Sequence, residues 1–242
     1  MEEAISVLGK PLVAHSLSDR IVDLLIEAMV RGDIPPGARI REATLARQFG
    51  ISRGPLREAL GRLEGRKMLH YTPNFGMRVV SMSTSDLCEI FELREVLEGL
   101  ACRLATERMT DAQIDDLERL LEEHRHSSGL RDGSAYYQQA GELDFHYRIA
   151  VASGNKQLVD VLCRDLYHLL RIHRFRSSSV PGRAFRAFDE HMAIVKAMRA
   201  RDGQQAEIRM REHVRCALES LRLEANQDTS AEADRSIVVP AP

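Results

Sequence analysis

The four cysteines (Cys88, Cys102, Cys163, Cys216) form no CxxC pair and no close cluster. That excludes a zinc knuckle and a CxxC redox motif, and it reads as scattered, mostly buried thiols rather than a disulfide framework. Long hydrophobic runs are also missing. The most apolar stretch near the N-terminus, "VDLLIEAMV", is far too short to span a bilayer and is interrupted by Asp23 and Glu27. No basic-then-apolar leader starts at Met1, so a cytoplasmic protein with no membrane partner is expected. Strand-type alternation is absent beyond residue 84, where almost everything follows the helical period.

What is present suits two domains. The chain has 242 residues, 44% hydrophobic and 29% charged, an ordinary soluble balance. Its net charge of −2 hides an uneven distribution. Residues 39–78 carry 9 Lys/Arg against 3 Asp/Glu, or +6, so the rest of the chain is acidic. A compact basic segment on a larger acidic body suggests an anion-binding module joined to a domain of another kind. Chance clustering of solvated arginines is the plainer explanation, and charge alone does not choose between them.

The first 80 residues supply the missing discrimination. "SLSDRIVDLLIEAMVRGDI" places Leu17, Ile21, Leu24, Leu25, Ala28 and Met29 at helical spacing, with Ser16 or Ser18 as cap and Gly32 as stop. "PPGARI" is a turn and a short extended piece. "EATLARQFG" is a second helix with Leu45, Ala46 and Phe49 on one face. In "ISRGPLREALGRLEG", Ser52 is the expected N-cap and Pro55 falls in the first turn, where its missing N–H costs nothing. Leu56, Ala59, Leu60 and Leu63 form the buried stripe, leaving Arg53, Arg57 and Arg62 off it. Two short strands, "MLHYT" and "MRVV", follow, joined by "PNFG". Helix, helix–turn–helix and β-hairpin is the order of a winged helix-turn-helix. Arg53 stands at the N-terminus of the expected recognition helix and Arg57 one turn later on a similar face. An arginine there forks onto guanine or clamps phosphate. Gly76 at the wing tip lets backbone approach a groove closely.

"IPPGARIREATLARQFGISRGPLREALGRLEGRKML…PNFGMRVV" resembles the GntR-type transcriptional regulators across about seventy residues. The resemblance implies that Arg53 and Arg57 are the principal contacts to double-stranded operator DNA, with Ser52, Gly54 and Gly76 assisting. Arg66 and Lys67 stand where members often carry an acidic–glycine pair, and Ala43 where some carry another arginine. These departures leave the operator sequence open. Glu58 reads as orienting an arginine.

Beyond the polar linker "SMSTSDL", six helices are expected, at about 84–108, 111–127, 133–152, 156–177, 182–201 and 203–224, forming an antiparallel bundle. Ser83 or Ser85 caps the first, and Thr110 with Gln113 forms a capping box. The fold class is therefore mainly α, with a winged helix-turn-helix domain over 1–80, a helical domain over 81–225, and a disordered tail over 226–242.

Glu142 and His146 are i, i+4, and His191 and His213 lie on the two following helices. If those helices pack antiparallel, the four side chains converge inside the bundle. Bundles build divalent metal sites this way, and such a set suits Zn²⁺, Ni²⁺ or Mn²⁺. Accidental sets among nine histidines are the competing explanation. "ELREVLEGLACRLA", "ELDFHYRIAVASGN" and "DEHMAIVKAMRARDGQQAEIRMREHV" are similar to the all-helical FCD effector domain of the FadR subfamily. That resemblance implies a metal set of Glu142, His146, His191 and His213, with Glu142 standing where the family usually has Asp. It also implies that Arg94 meets the carboxylate of an inducer. The alternative for Arg94 is an ion pair with Glu98, at i+4. His124, His126, His168 and His173 read as solvated, without a role.

The function expected is a ligand-responsive regulator and not an enzyme. It would act as a homodimeric repressor on a palindromic operator, sensing a small organic acid beside a metal. Two alternatives stay open: a metal-dependent enzyme, and a DNA-binding protein whose helical half only dimerises.

Overall fold

The computed structural model describes residues 16–235. The chain divides into two compact units, residues up to 29 with 34–80, and residues 30–33 with those from 81 onward. The first 15 residues of the expected N-terminal domain and residues 236–242 of the expected tail lie outside the described residues.

In the N-terminal unit, α1 (Leu17–Val30) starts from a reciprocal cap. Ser16 N–H donates to Asp19 Oδ2 at 2.8 Å, and Asp19 N–H donates to Ser16 Oγ at 3.1 Å. The buried face is Ile21, Val22, Leu25, Ile26 and Met29, whereas Leu24, expected inside, is 59% exposed. Apolar side chains lie on both sides of this helix, so its pattern alone leaves its rotation undetermined. Then follow β1 (Arg39–Ile40), α2 (Glu42–Phe49), α3 (Arg53–Gly65), β2 (Leu69–Thr72) and β3 (Gly76–Val79). Leu56, Ala59, Leu60 and Leu63 are all buried, as the stripe requires, and Ala46 anchors α2 while Phe49 stays exposed. The expected extended piece is a true strand, because β1 joins the hairpin to give the order β1-β3-β2. Thr72 pairs with Gly76 across the turn, where Asn74 has φ 66° and Gly76 φ 81°. These left-handed conformations suit Asn and Gly.

The second unit is helical: α4 (Thr84–Arg108), α5 (Asp111–Arg125), α6 (Ser128–Asp132), α7 (Phe145–Ala152), α8 (Lys156–Asp160), α9 (Tyr167–Ser178), α10 (Arg183–Arg199) and α11 (Gly203–Arg235). Ser83 with Asp86 and Thr110 with Gln113 form capping boxes that start α4 and α5. The most extensive helix contact is α4 on α11. It is close at Gly99, where a Cβ would sit 2.8 Å from Arg211 Cγ. The core runs from Ala101, Leu117 and Leu121 through Phe145 and Leu170 to Ile194 and Met210, with Phe91, Val214 and Leu221 as a second cluster.

Three expected elements differ. Residues 133–152 are not one helix: an irregular stretch and a 3₁₀ turn (Gly141–Leu143) precede α7. The cause is Asp144, whose carboxylate accepts from the N–H groups of His146 and Tyr147 and so starts the helix there. The expected helix over 156–177 is interrupted by a π-turn, Val161–Asp165, whose extra residue rotates the faces of α9 relative to α8. The expected disordered tail is helical backbone through Arg235, since no glycine or proline follows Gly203 in that span.

Candidate metal and effector site

Three helices of the second unit bring the three predicted histidines together. His146 lies in the first turn of α7, His191 in the middle of α10 and His213 on α11; all three are buried. His191 Nε2 is 3.2 Å from His146 Nε2 and 3.2 Å from His213 Nε2. Among the described residues these are the group whose ligand atoms all lie within 4.8 Å of one another.

Each outer ring nitrogen is held. His146 Nδ1 is 2.7 Å from Glu98 Oε2 on α4, and His213 Nδ1 is 2.7 Å from Glu190 Oε2 on α10. His191 Nδ1 is 3.3 Å from the Tyr136 hydroxyl. Burial would raise the Glu98 carboxyl, but Arg94, Arg174 and His146 hold it well below its usual range. Burial also opposes ionisation of Glu190, which His213 and Arg183 overcome. As carboxylates, both accept from Nδ1–H, which leaves the Nε2 lone pairs of His146 and His213 facing His191. Burial pushes all three imidazoles below 6.5; with Arg174 adding to it, His146 falls to about 3. Neutral imidazole is the metal-ligand form.

The spacing fits a metal ion. Tetrahedral ligands at a Zn–N distance of about 2.05 Å lie roughly 3.3 Å apart, and the two nitrogen pairs stand at 3.2 Å. His191 Nε2 can offer a proton to only one of its neighbours, so at least one of the two contacts sets lone pair against lone pair, an arrangement that a shared cation would suit.

Glu142 is not brought to this cluster. It sits exposed in the 3₁₀ turn, on the rim of a surface cavity with Asp116, Arg119 and Arg148. The i, i+4 relation holds only within one helix, and α7 begins after Glu142. Asp144 is also occupied, capping α7 and pairing with Arg174 at 3.3 Å. Three histidines without a fourth protein ligand among the described residues leave coordination positions open.

Beside the cluster lies a small cavity, about 20 Å³, room for one or two water-sized groups. Arg94, Arg174 and Arg183 line it with Tyr136, Ser177 and Ser178. Arg94 forms the ion pair given as the alternative, its Nε donating to Glu98 at 2.6 Å, while Nη1 and Nη2 are buried without a hydrogen-bond partner. Arg183 likewise donates Nη2 to Glu190 at 2.7 Å and leaves Nε and Nη1 unpartnered.

In the N-terminal unit, Arg53 and Gly54 are exposed in the first turn of α3, and Ser52 takes the N-cap position without a side-chain cap bond. A Cβ at Gly54 would meet nothing within 4 Å, so packing does not demand glycine there. Arg57 is exposed and donates to Glu42 Oε2 at 2.8 Å. The acid that orients this arginine is therefore Glu42; Glu58 instead accepts from the Ser18 hydroxyl at 2.8 Å.

Two family models cover these two units. One, described as bacterial regulatory proteins of the gntR family, matches residues 17–79, and one described as the FCD domain matches residues 89–215. The chain belongs to the GntR family. It is a DNA-binding transcriptional regulator with an FCD effector domain, in a family of regulators rather than enzymes. The "Nta operon transcriptional regulator" of Aminobacter aminovorans is 36% identical over 145 residues, 58% of this chain and 65% of the relative's length. The regulator YdhC of Bacillus subtilis is 29% identical over 82% of this chain and 88% of its own. The solved structure of McbR/YncC from E. coli shares the fold, with a TM-score of 0.68 at 22% identity over 87% of this chain and 99% of that one.

In this GntR regulator, sequence reasoning missed four residues of the site: Tyr136, Arg174, Arg183 and Glu190. Glu190 directly precedes His191, so a carboxylate next to a candidate ligand was a readable signal. Tyr136 had none, because it falls in the irregular stretch. His173, expected solvated, is buried against Phe91 and the Met82 sulfur, and His124 bonds Tyr136 and the Leu143 carbonyl. Of the cysteines, only Cys102 is fully buried, and all four are free. Among the described residues, no helix is long and apolar enough to cross a membrane.

Proposed function

We propose that this GntR regulator is a homodimeric repressor of the FadR subfamily, sensing a small organic acid through a divalent metal held by His146, His191 and His213. The observation that carries this reading is the convergence of three neutral, oriented imidazole nitrogens beside buried guanidinium groups with unpartnered nitrogens. The metal would present a Lewis-acidic centre with open positions for a carboxylate, and Arg94 would offer its free nitrogens to the same ligand. Arg53 and Arg57 meet the operator, assisted by Ser52, Gly54 and Gly76, and a two-fold operator calls for two chains. The acid acts by favouring the conformations of the dimer that bind the operator differently, shifting their populations.

The test joins metal analysis to operator binding. The purified chain should carry close to one metal per protomer, lost when His146, His191 and His213 are changed to alanine. A stabilising acid, found by thermal shift with and without chelator, should alter operator affinity in the wild type and not in the triple variant. A wild-type protein that retains no metal after loading and dialysis sinks the metal reading. An acid that acts equally on the triple variant removes the metal from the mechanism.

A further inference from the structure

The outer face of the wing sheet carries a row of basic side chains. The register places Arg39 of β1 opposite Arg78 of β3, and Arg78 opposite His70 of β2. Side chains alternate between the faces of a strand, so these three share the face away from the buried Ile40, Leu69 and Val79. Like charges directly opposite one another destabilise a sheet. The Arg39–Arg78 pair is such a contact, and it suits a face that meets a polyanion.

The two arginines are not equivalent. Arg78 is half-buried and donates Nη1 to the Gly37 carbonyl at 2.8 Å, so it is held within the fold. Arg39 is exposed and forms no ion pair among the described residues, whereas Arg57 and Arg62 pair with Glu42 and Asp19. Its position is set all the same. A Cβ at Gly76 would stand 3.7 Å from Arg39 Nε and 3.8 Å from Nη2, so the guanidinium lies along the glycine. Gly76 follows the exposed Asn74 and Phe75 at the wing tip. β1 therefore delivers an unpaired, planar cation to the end of the hairpin.

The hairpin is tied to α3, because Met68 N–H donates to the Leu63 carbonyl at 3.0 Å. With α3 in the major groove, an element tethered beside it reaches the adjacent minor groove. Base edges there are nearly degenerate, but groove width is not: A-tracts are narrow, and their negative potential attracts inserted arginine. A guanidinium is more weakly hydrated than an ammonium, so it enters at a lower cost.

We propose that Arg39 is a specificity-determining residue: from the wing tip its guanidinium enters the minor groove flanking the α3 site and selects narrow, A·T-rich sequence there. This rests on the placement of α3 in the major groove proposed above. It adds a second point of sequence readout that uses neither α3 nor the helical unit.

The experiment selects bound sequences from a random duplex library with the full-length chain and its Arg39→Ala, Arg39→Lys and Arg57→Ala variants. The wild type should enrich A·T-rich sequence at a fixed offset from the sequence read by α3. Arg39→Ala should keep that central sequence and lose the flank. Duplexes with the selected centre and either an A-tract or a G·C flank then give affinities by fluorescence anisotropy. The wild type should prefer the A-tract flank by about fivefold or more, the low end of what one mismatched base pair costs. In both Arg39 variants the two affinities should be nearly equal. Lysine keeps the charge, so the salt dependence of Arg39→Lys should stay near that of the wild type. Arg39 is exposed, and both variants should keep the wild-type circular dichroism. A wild type without flank enrichment, or a preference that survives Arg39→Ala, overturns the proposal. So does a loss in Arg39→Ala that is equal on both flanks and lowers the salt slope by about 0.9, since that describes a phosphate contact. If Arg57→Ala leaves the central sequence intact while Arg39→Ala removes the flank, the α3 assignment falls and the wing readout stands.

Discussion

Replacing Glu98 by glutamine should be the most informative single change in the helical unit. Glu98 is buried and serves three partners: Arg94 Nε at 2.6 Å, Arg174 Nη2 at 2.9 Å and His146 Nδ1 at 2.7 Å. Glutamine keeps the shape, removes the charge, and turns one acceptor oxygen into a donor aimed at other donors. Breaking a buried ion pair by removing one partner costs about 3–5 kcal/mol. Arg174 keeps Asp144 at 3.3 Å, whereas Arg94 is left without its carboxylate. The lower end of that range, about 3 kcal/mol, is therefore expected. Urea unfolding of the metal-free protein, followed by far-UV circular dichroism, measures it. His146 also loses the acceptor that fixes its tautomer, so zinc affinity in a chelator competition should fall about 10- to 100-fold. A stability loss under about 1 kcal/mol, the scale of an exposed pair, would refute the buried-hub account. Unchanged zinc affinity would refute the orienting role.

Arg57→Ala should abolish operator binding while the helical unit stays folded by circular dichroism, and an unchanged affinity would remove α3 from the DNA interface. Glu42→Gln releases Arg57 from its exposed pair, so operator affinity should rise modestly, by no more than the ~0–1 kcal/mol of such a pair; a fall would mean that Glu42 positions the arginine productively. Leu60→Ala deletes a buried leucine in α3 and should cost about 2–5 kcal/mol in unfolding of the N-terminal unit. His173 is lowered by burial, then by Arg94 and Arg176, from 6.5 to about 4. The unfolded chain then binds the extra proton between those values, so this contribution is present above pH 6.5 and lost as pH falls toward 4. It amounts to about 3 kcal/mol by linkage. His173→Phe should flatten that part of the stability–pH profile of the metal-free protein, and an unaltered profile would show that His173 titrates normally.

The N-terminal unit was legible because its signals are local. Pro55, the stripe from Leu56 to Leu63 and the Asn74–Gly76 turn each state their own geometry. The histidine cluster was legible only as a pattern, since spacing along a helix says which residues share a face and not which helices meet. Glu142 was misplaced for one reason: the helical period was carried back through Asp144, a residue that prefers to start helices. The π-turn after Asp160 leaves no comparable mark in composition. Arg174 and Arg183 were hidden among many arginines because burial of a cation is decided by partners distant in sequence, Glu98 76 residues away for the first.

The cap at Asp144 also fixes where a change in chain length would matter. His146 follows it by two residues, inside the first turn, so the direction of the imidazole is set by where that turn begins. Each residue of an α-helix advances the side-chain direction by about 100°. One residue inserted between the cap and the ligand would swing the ring out of the cluster, however well α7 packed. The same residue inserted between Ala140 and Glu142 would enlarge an exposed turn and leave the ring where it is. The address of His146 is written as a distance from a helix start, which lets the segment before it drift in length while the address holds.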